Sequence, residues 1–329
     1  MTVRPPGRTP APEVRVIGSR VLSVGHYQPP RVVTNDELAT IVDTSDEWIQ
    51  RRVGIRERRW ADGDDTVYTM ATKAAQDALR KAGIAADDVD TIVLASCTVY
   101  DRSPNAAARV AAALGMSNQP AAIEINTACS GFTHAVALAQ HSIAAGSSRT
   151  ALVIGVDKLT TVTDMNDRST CVLTADGAGA IVLTASEDQQ VSPVVWGSVP
   201  EMGDAVRIER ANNDKFAQNG QAVFRWTTVE LPKIAKEIMT RAEVDPKDVG
   251  VIVLHQANLR IIEPLARKIG AENAIVATDV VESGNTSAAS VPLALSKLLE
   301  KENVPAGTPI LMFAFGGGLS YAGQIVKAP

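Results

Sequence analysis

A self-similarity at an offset of 160 residues limits the architecture of this chain more than any other feature. Ala82, Asp88, Val89, Ile92, Val93 and Leu94 recur as Ala242, Asp248, Val249, Ile252, Val253 and Leu254. In both places a helical pattern leads through a short turn into an apolar, β-branched run, so the repeated unit is helix, turn and strand. Alternating strands and helices make each half α/β, and two similar halves are expected to share one interface, with a site built from both. The join falls near Ser186 to Ser192, where Ala185-Ser186-Glu187-Asp188-Gln189-Gln190 interrupts the strands. The expected division is a tail over 1–13, a first half over 14–186 and a second half over 187–329. With 45% hydrophobic residues in 329, the chain can fill a core of that size.

The opening segment Met1 to Glu13 carries Pro5, Pro6, Pro10 and Pro12 and no apolar core. It reads as a frayed tail, neither signal peptide nor membrane span, and no later run has the apolar length of a membrane helix. A net charge of -5 offers no general attraction for nucleic acid or an anionic membrane, so an anionic ligand must be held by local arginines. Three cysteines, Cys97, Cys129 and Cys171, show no C-x-x-C spacing. That excludes a disulfide scaffold or structural zinc and points to a reducing, cytoplasmic setting.

Along the first half, Val14 to Val24 reads as a strand broken near Gly25. Thr34 with Glu37 has the spacing of a capping box, and Thr44-Ser45-Asp46 opens a second helix. Trp48 with Arg51, Arg52, Arg56, Arg58 and Arg59 sets one large ring among five guanidiniums. This suits stacking on a base and pairing with phosphates, and equally a solvated basic helix face. Thr66 to Ala82 is a helix stopped by Gly83, Asp90 to Ala95 a buried strand, and Ser103-Pro104 opens a helix ending at Gly115.

Asn126-Thr127-Ala128-Cys129-Ser130-Gly131-Phe132 then joins an apolar strand, Ala121 to Ile125, to a helix reaching about Ala145. At the first turn of a helix the unpaired N–H groups favour a thiolate, which makes Cys129 a candidate nucleophile. A lone cysteine is as a rule a small buried hydrophobe, but Ser130 and Gly131 are small enough to let a substrate approach. In the second half, the strand Val249 to Leu254 ends in His255-Gln256-Ala257-Asn258 before a helix from about Leu259 to Ile269. Glu282 to Ser287 precedes the helix Ala288 to Leu299, and Ile310 to Phe315 ends in Gly316-Gly317-Gly318. Cys129, His255, Asn285 and the glycines all fall at element junctions, where α/β proteins place chemistry. Gly177-Ala178-Gly179-Ala180 opens no helix and reads as a close-packed turn. His134 and His141 share a helix face without a third ligand, which makes them core or interface histidines. Cys97 and Cys171 read as structural.

These segments together resemble β-ketoacyl-acyl-carrier-protein synthase III of the thiolase superfamily. The resemblance rests on Thr44 to Arg58 (TSDEWIQRRVGIRER), Ala128 to Phe132 (ACSGF), Asp167-Arg168, Ala175 to Ala180 (ADGAGA), His255 to Ile262 (HQANLRII), Gly284 to Ser290 (GNTSAAS) and Phe315 to Leu319 (FGGGL). It implies a five-layered αβαβα fold of two duplicated halves in a homodimer. It also implies decarboxylative condensation of an acyl-CoA with malonyl-acyl carrier protein, through an acyl group held on Cys129, initiating fatty-acid synthesis. His255 Nε2–H and the Asn285 amide would stabilise the enolate. The oxyanion would sit between backbone N–H groups of Cys129 and of Gly316, Gly317 and Gly318. No metal or redox cofactor is implied, acyl-CoA being a substrate.

By the same resemblance the CoA adenine lies between Trp48 and Arg168, with Arg52 on the phosphates, and Arg260, Arg267 and Lys268 offer positive charge to an acidic carrier protein, although the same three residues read equally as a solvated helix face. Ser103 falls at the position that closes the acyl pocket, where a small residue implies room for branched or longer acyl groups. It also reads as the N-cap before Pro104 at N1. Three departures bear on the substrate: this Ser103, the short connection Gly197 to Asn219, and Asn126-Thr127 ahead of the nucleophile. The competing readings are a starter-unit synthase or acyltransferase of polyketide or secondary metabolism and, from another class, a non-catalytic acyl-CoA-binding assembly subunit.

Overall fold

The computed structural model of the chain describes residues 18–329, so the expected tail and the start of the first expected strand lie outside the described residues. The first half runs β1 (Gly18–Tyr27), β2 (Val32–Thr34), α1 (Asn35–Ala39), α2 (Asp46–Val53), β3 (Glu57–Arg59), α3 (Val67–Ala82), β4 (Thr91–Ala95), α4 (Ala106–Ala113), β5 (Ala121–Ile125), α5 (Gly131–Ala144), β6 (Thr150–Lys158), α6 (Arg168–Cys171) and β7 (Asp176–Ser186). The second runs β8 (Val195–Ser198), β9 (Val206–Glu209), β10 (Lys215–Gln218), α7 (Gly220–Val229), α8 (Leu231–Arg241), β11 (Val251–Leu254), α9 (Leu259–Ile269), β12 (Ile275–Val276), α10 (Val280–Ser283), α11 (Ser290–Lys301), β13 (Pro309–Gly316) and β14 (Ser320–Lys327).

Two five-stranded sheets carry the duplication. Their orders are β1-β7-β6-β4-β5 and β8-β14-β13-β11-β12, with the same sequence of antiparallel and parallel neighbours. Under the 160-residue offset the end of α3 falls on the end of α8, the turn Ala86–Asp88 on Pro246–Asp248, and β4 on β11. Facing is preserved as well as pairing. Ile92 and Leu94 pack outward with α3, and Ile252 and Leu254 outward with α8 and α9, while Val93 and Val253 both face the centre. There α5 and α11 lie between the sheets, contributing Phe132, Val136, Val291 and Leu295 to one apolar cluster. Five layers result, as the resemblance implies.

Local chemistry places most boundaries. Ser45 accepts the Trp48 N–H at 3.2 Å to start α2, Thr66 accepts the Thr69 N–H at 3.1 Å to start α3, and Gly83, at φ 69°, ends α3. Three expectations are corrected. β1 continues through Gly25 to Tyr27 because its pairing with β7 persists to Ala178. The run from Gly177 to Ala180 is strand interior, not a turn: a Cβ on Gly179 would lie 2.6 Å from Leu293 N, so the glycine lets α11 rest directly on the sheet. The helix after Cys97 starts at Ala106 with Asn105 as its cap, accepting the Ala108 N–H at 2.8 Å, and Ser103 caps nothing. His134 and His141 flank the indole of Trp196 at 5.7 and 5.6 Å. His26, Asp77 and Glu300 converge where the halves meet, and the Lys81 ammonium bridges the two carboxylates at 2.7 and 2.5 Å. No helix of the described residues is long and apolar enough to cross a membrane.

Candidate active site

Cys129 sits on a one-turn 3-10 segment, Ala128–Ser130, between β5 and α5. Ala128 has φ 48°, a left-handed conformation that costs a residue with a Cβ on the order of 1–3 kcal/mol, and Asn126 Oδ1 accepts its N–H at 3.1 Å. The matching turn of the second half, Ser287–Ala289 ahead of α11, repeats the strain at Ser287, φ 50°. Against Cys129 stands the end of β13. A Cβ on Gly316 would lie 2.6 Å from Cys129 Cβ and 3.1 Å from its Sγ, so only glycine fits there. Of the three glycines only Gly318, at φ 118°, needs a left-handed backbone; Gly316 serves close approach.

A cavity of about 160 Å³ opens beside the sulfur. Cys129, Cys97, Asn285 and Ser287 line its polar side. Its apolar side comes from Leu159 and from Val206, Ile208 and Phe216 of the β9–β10 hairpin, into which the connection Gly197 to Asn219 folds. Sequence reading took Cys97 as structural and missed the hairpin. The alternation of Val206 and Ile208 and the turn residues Asn212-Asn213-Asp214 were the signal. Cys171, by contrast, is buried in the core at the end of α6, as a structural cysteine should be.

Asp157, fully buried at the end of β6, ties the two lobes together at this point. Its Oδ1 accepts from Ser96 Oγ, Cys97 N, Thr98 N and Thr98 Oγ1 at 2.8–3.1 Å, and its Oδ2 accepts the Ala288 N–H at 2.9 Å. A carboxylate ending the apolar run Ala151 to Val156 was legible as a group needing such partners. Asn285 is fixed by its own loop: Oδ1 accepts the Ser287 N–H at 2.9 Å, and its backbone bonds Leu173 and Ala175. The amide hydrogens are left without a protein acceptor among the described residues.

His255 is not on the cavity wall. Its N–H continues the β11–β13 ladder to Phe313 O at 2.9 Å, its ring stands edge-on to Phe315 with centroids 5.5 Å apart, and Nδ1 lies 2.7 Å from Ser290 Oγ. Phe315 is the residue before Gly316, which touches Cys129, so imidazole and sulfur approach β13 at neighbouring residues. Burial pushes His255 down to about 3, leaving a neutral ring at pH 7. Burial also pushes the Cys129 thiol up to about 11, opposed by the Ser287 hydroxyl and reinforced by Asp157. The expected thiolate is therefore corrected to a thiol: a single 3-10 turn does not offset removal from water.

A separate cleft of about 830 Å³ is lined by Trp48, Arg52, Arg168, Phe224, Arg225 and Arg260. The Arg168 guanidinium lies 4.9 Å from the Trp48 ring centroid and donates to Asp43 O at 3.0 Å, so a base enters between them only if Arg168 swings outward. The five-arginine cluster does not hold together. Arg58 is fully buried, donating to Asn35 Oδ1 at 2.7 Å and Val172 O at 2.9 Å, Arg56 faces a hollow beside Glu282, and Arg59 turns toward Pro30 and Glu57. Arg267 and Lys268 are exposed on the last turn of α9, and Lys268 Nζ donates to Thr228 O at 2.8 Å. Ser103 is exposed ahead of α4, away from the cavity of its own chain.

Paired five-stranded sheets enclosing two central helices, with a cysteine on the turn into one and an asparagine on the loop before the other, define a condensing enzyme of the thiolase type. The chain belongs to the β-ketoacyl-acyl-carrier-protein synthase III family. The family model described as 3-Oxoacyl-[acyl-carrier-protein (ACP)] synthase III matches residues 123–200, and its C-terminal counterpart residues 239–328. Beta-ketoacyl-[acyl-carrier-protein] synthase III 4 of Streptomyces coelicolor is 58% identical over 315 residues, 95% of this chain and 99% of the relative. The priming β-ketosynthase of the R1128 polyketide biosynthetic pathway superposes with a TM-score of 0.93 at 37% identity, covering 99% of both chains. The 3-oxoacyl-[acyl-carrier-protein] synthase III of Aquifex aeolicus superposes at 0.89 with 38% identity, covering 94% of this chain and all of that one. The protein is thus an acyl-transferring condensing enzyme of the β-ketoacyl synthase III type.

Proposed function

We propose that the protein takes an acyl group from acyl-CoA onto Cys129 and condenses it with malonyl-acyl carrier protein. The observation that carries this is the convergence of Cys129, Asn285 and the Gly316 turn, from opposite halves, on one small cavity. Cys129 attacks the thioester carbonyl, its S–H proton leaves with CoA as the free thiol, and the acyl group remains on sulfur. Malonyl-acyl carrier protein then loses carbon dioxide. The enolate oxygen is stabilised by the Asn285 amide and His255 Nε2–H, and the α-carbon displaces the Cys129 sulfur, which takes a proton from water to restore the thiol, giving the β-ketoacyl product. Backbone N–H groups of Cys129 and of the Gly316 to Gly318 turn hold the oxyanion. None of these steps calls on a metal or redox cofactor.

CoA takes the Trp48 cleft with Arg168 displaced onto its face and Arg52 on phosphate, while Arg260, Arg267 and Lys268 receive the carrier protein. At about 30 Å³ per water-sized group, the cavity has room for roughly five groups, which suits short branched or medium acyl chains. The hairpin, and not Ser103 of the same chain, sets that limit. The halves divide between Ser186 and Glu187, and two copies pair through the β5 edge. The likeness to a priming ketosynthase favours one second reading, supply of a starter unit to a polyketide.

Intact-mass measurement after mixing with a panel of acyl-CoAs, followed by malonyl-acyl carrier protein, tests the proposal. The parent is expected to gain and then discharge one acyl group, Cys129→Ser to gain none, and Asn285→Ala to gain the group without discharging it. An adduct of unchanged yield on Cys129→Ser removes the covalent step.

A further inference from the structure

His255 has one ring nitrogen committed and one free. Nδ1 lies 2.7 Å from Ser290 Oγ, and which of the two atoms owns the shared hydrogen decides what Nε2 can do. If Nδ1 carries it, Nε2 has a bare lone pair and can take a proton. If Ser290 donates, the imidazole hydrogen sits on Nε2, which can only give a hydrogen bond.

The partners of Ser290 separate the two cases. The residue is 1% exposed, and its Oγ accepts the Gln256 N–H at 3.3 Å. Among the described residues no acceptor other than His255 Nδ1 lies within hydrogen-bond reach of its hydroxyl. With Nδ1–H donating, Ser290 Oγ would receive two hydrogens while its own had nowhere to go, and a buried unpaired O–H is disfavoured. With Ser290 donating, its hydroxyl hydrogen, the Gln256 N–H and Nδ1 are all paired, and Nε2–H alone is left for a ligand.

Gln256 secures the polarity. Fully buried, it donates through Nε2 to Leu254 O at 2.7 Å and Ala277 O at 3.2 Å and accepts the Val280 N–H at 3.1 Å, which holds its backbone N–H on Ser290. We infer that Ser290, oriented by Gln256, is the positioning residue that fixes His255 as the Nε2–H tautomer, so that His255 meets the reacting oxygen as a donor and takes no proton from Cys129. The inference rests on the condensing role proposed above for His255. Burial keeps the ring neutral, so the imidazolium form through which tautomers exchange is disfavoured, while the choice of tautomer is left to the Ser290 hydrogen bond.

The test has one arm without turnover and one with it. In protein labelled with nitrogen-15 at histidine, with the His255 signals assigned by their loss in His255→Gln, Nε2 is expected as the protonated nitrogen and Nδ1 as the bare one, unchanged between about pH 6 and 8. Ser290→Ala is expected to mix the two tautomers. It should also lower the condensation kcat with malonyl-acyl carrier protein on the order of 10- to 100-fold, while acylation by acyl-CoA stays within about threefold. Ser290→Thr, which keeps the hydroxyl, should restore both the spectrum and the rate.

A bare Nε2 in the parent overturns the inference. So does a Ser290→Ala protein that condenses at the parental rate, or one whose acylation falls as far as its condensation, which would make Ser290 merely structural. Should the parent neither acylate nor condense, the condensing proposal fails while the nitrogen spectrum still decides the tautomer.

Discussion

Cys129 holds its proton more tightly than a free thiol because its surroundings remove more hydration than they return in hydrogen bonds. Its reactivity toward small electrophiles should follow. Below the pKa the thiolate fraction rises tenfold per pH unit, so iodoacetamide alkylation followed by intact mass is expected to climb from pH 7 through pH 10 without levelling. A plateau setting in near pH 8.5, the value of a free thiol, would mean that the turn activates the sulfur in the resting protein. On the acylation step proposed above, the raised value requires the proton to leave during attack and not before it. Asp157, buried beside Cys129, is met by five donors from two lobes, so that it fixes Cys97 on one side and the turn after Asn285 on the other.

At the scale of elements, the cavity has one rigid wall and one replaceable wall. The rigid one is the meeting of the Ala128–Ser130 turn with β13, where Gly316 leaves no space for a side chain. The replaceable one is the β9–β10 hairpin, four residue pairs long, which presents Val206, Ile208 and Phe216 to the cavity beside Cys129. Shortening the ring side chain should therefore move selectivity without touching the chemistry. Phe216→Leu is expected to shift preference several-fold toward longer acyl-CoAs in a competition assay read by the mass of the acyl-enzyme, at a stability cost of about 1 kcal/mol. An unchanged acyl preference would show that length is read elsewhere.

Across the whole molecule, two equivalent sheets stop at unequal edges. β12 is two residues long, whereas β5 is a five-residue edge with Ile123 at 41% exposure, placed shortly before the Ala128–Ser130 turn. An open edge of that length invites another strand. With two copies paired through this edge as proposed above, Ile123→Lys is expected to convert the dimer to a monomer in light scattering. Because β5 leads directly into Asn126 and Cys129, acyl-enzyme formation should weaken with it. A variant that remains dimeric would place the contact on another face.

The repeat of helix, turn and strand was written in the sequence because its identities fall on positions with fixed facing: 92 and 94 outward, 93 inward, and the same at 252, 254 and 253. Helix starts at Ser45 and Thr66 were legible for a similar reason, since a cap acts over three residues. Cys129, His255, Asn285 and the glycines were legible as residues at element junctions. What was not legible depends on atoms far apart in the chain. Arg58 and Arg52 are alike in sequence, yet one is walled in by Val33 and Val172 and the other opens on a cleft. Cys97 looked structural until β6 and the hairpin put it beside Cys129. The ownership of a single proton between Ser290 and His255, 35 residues apart, follows only from counting donors and acceptors once both are buried. Local sequence decides which elements form; hydration lost and partners met, which belong to the folded whole, decide what their side chains can do.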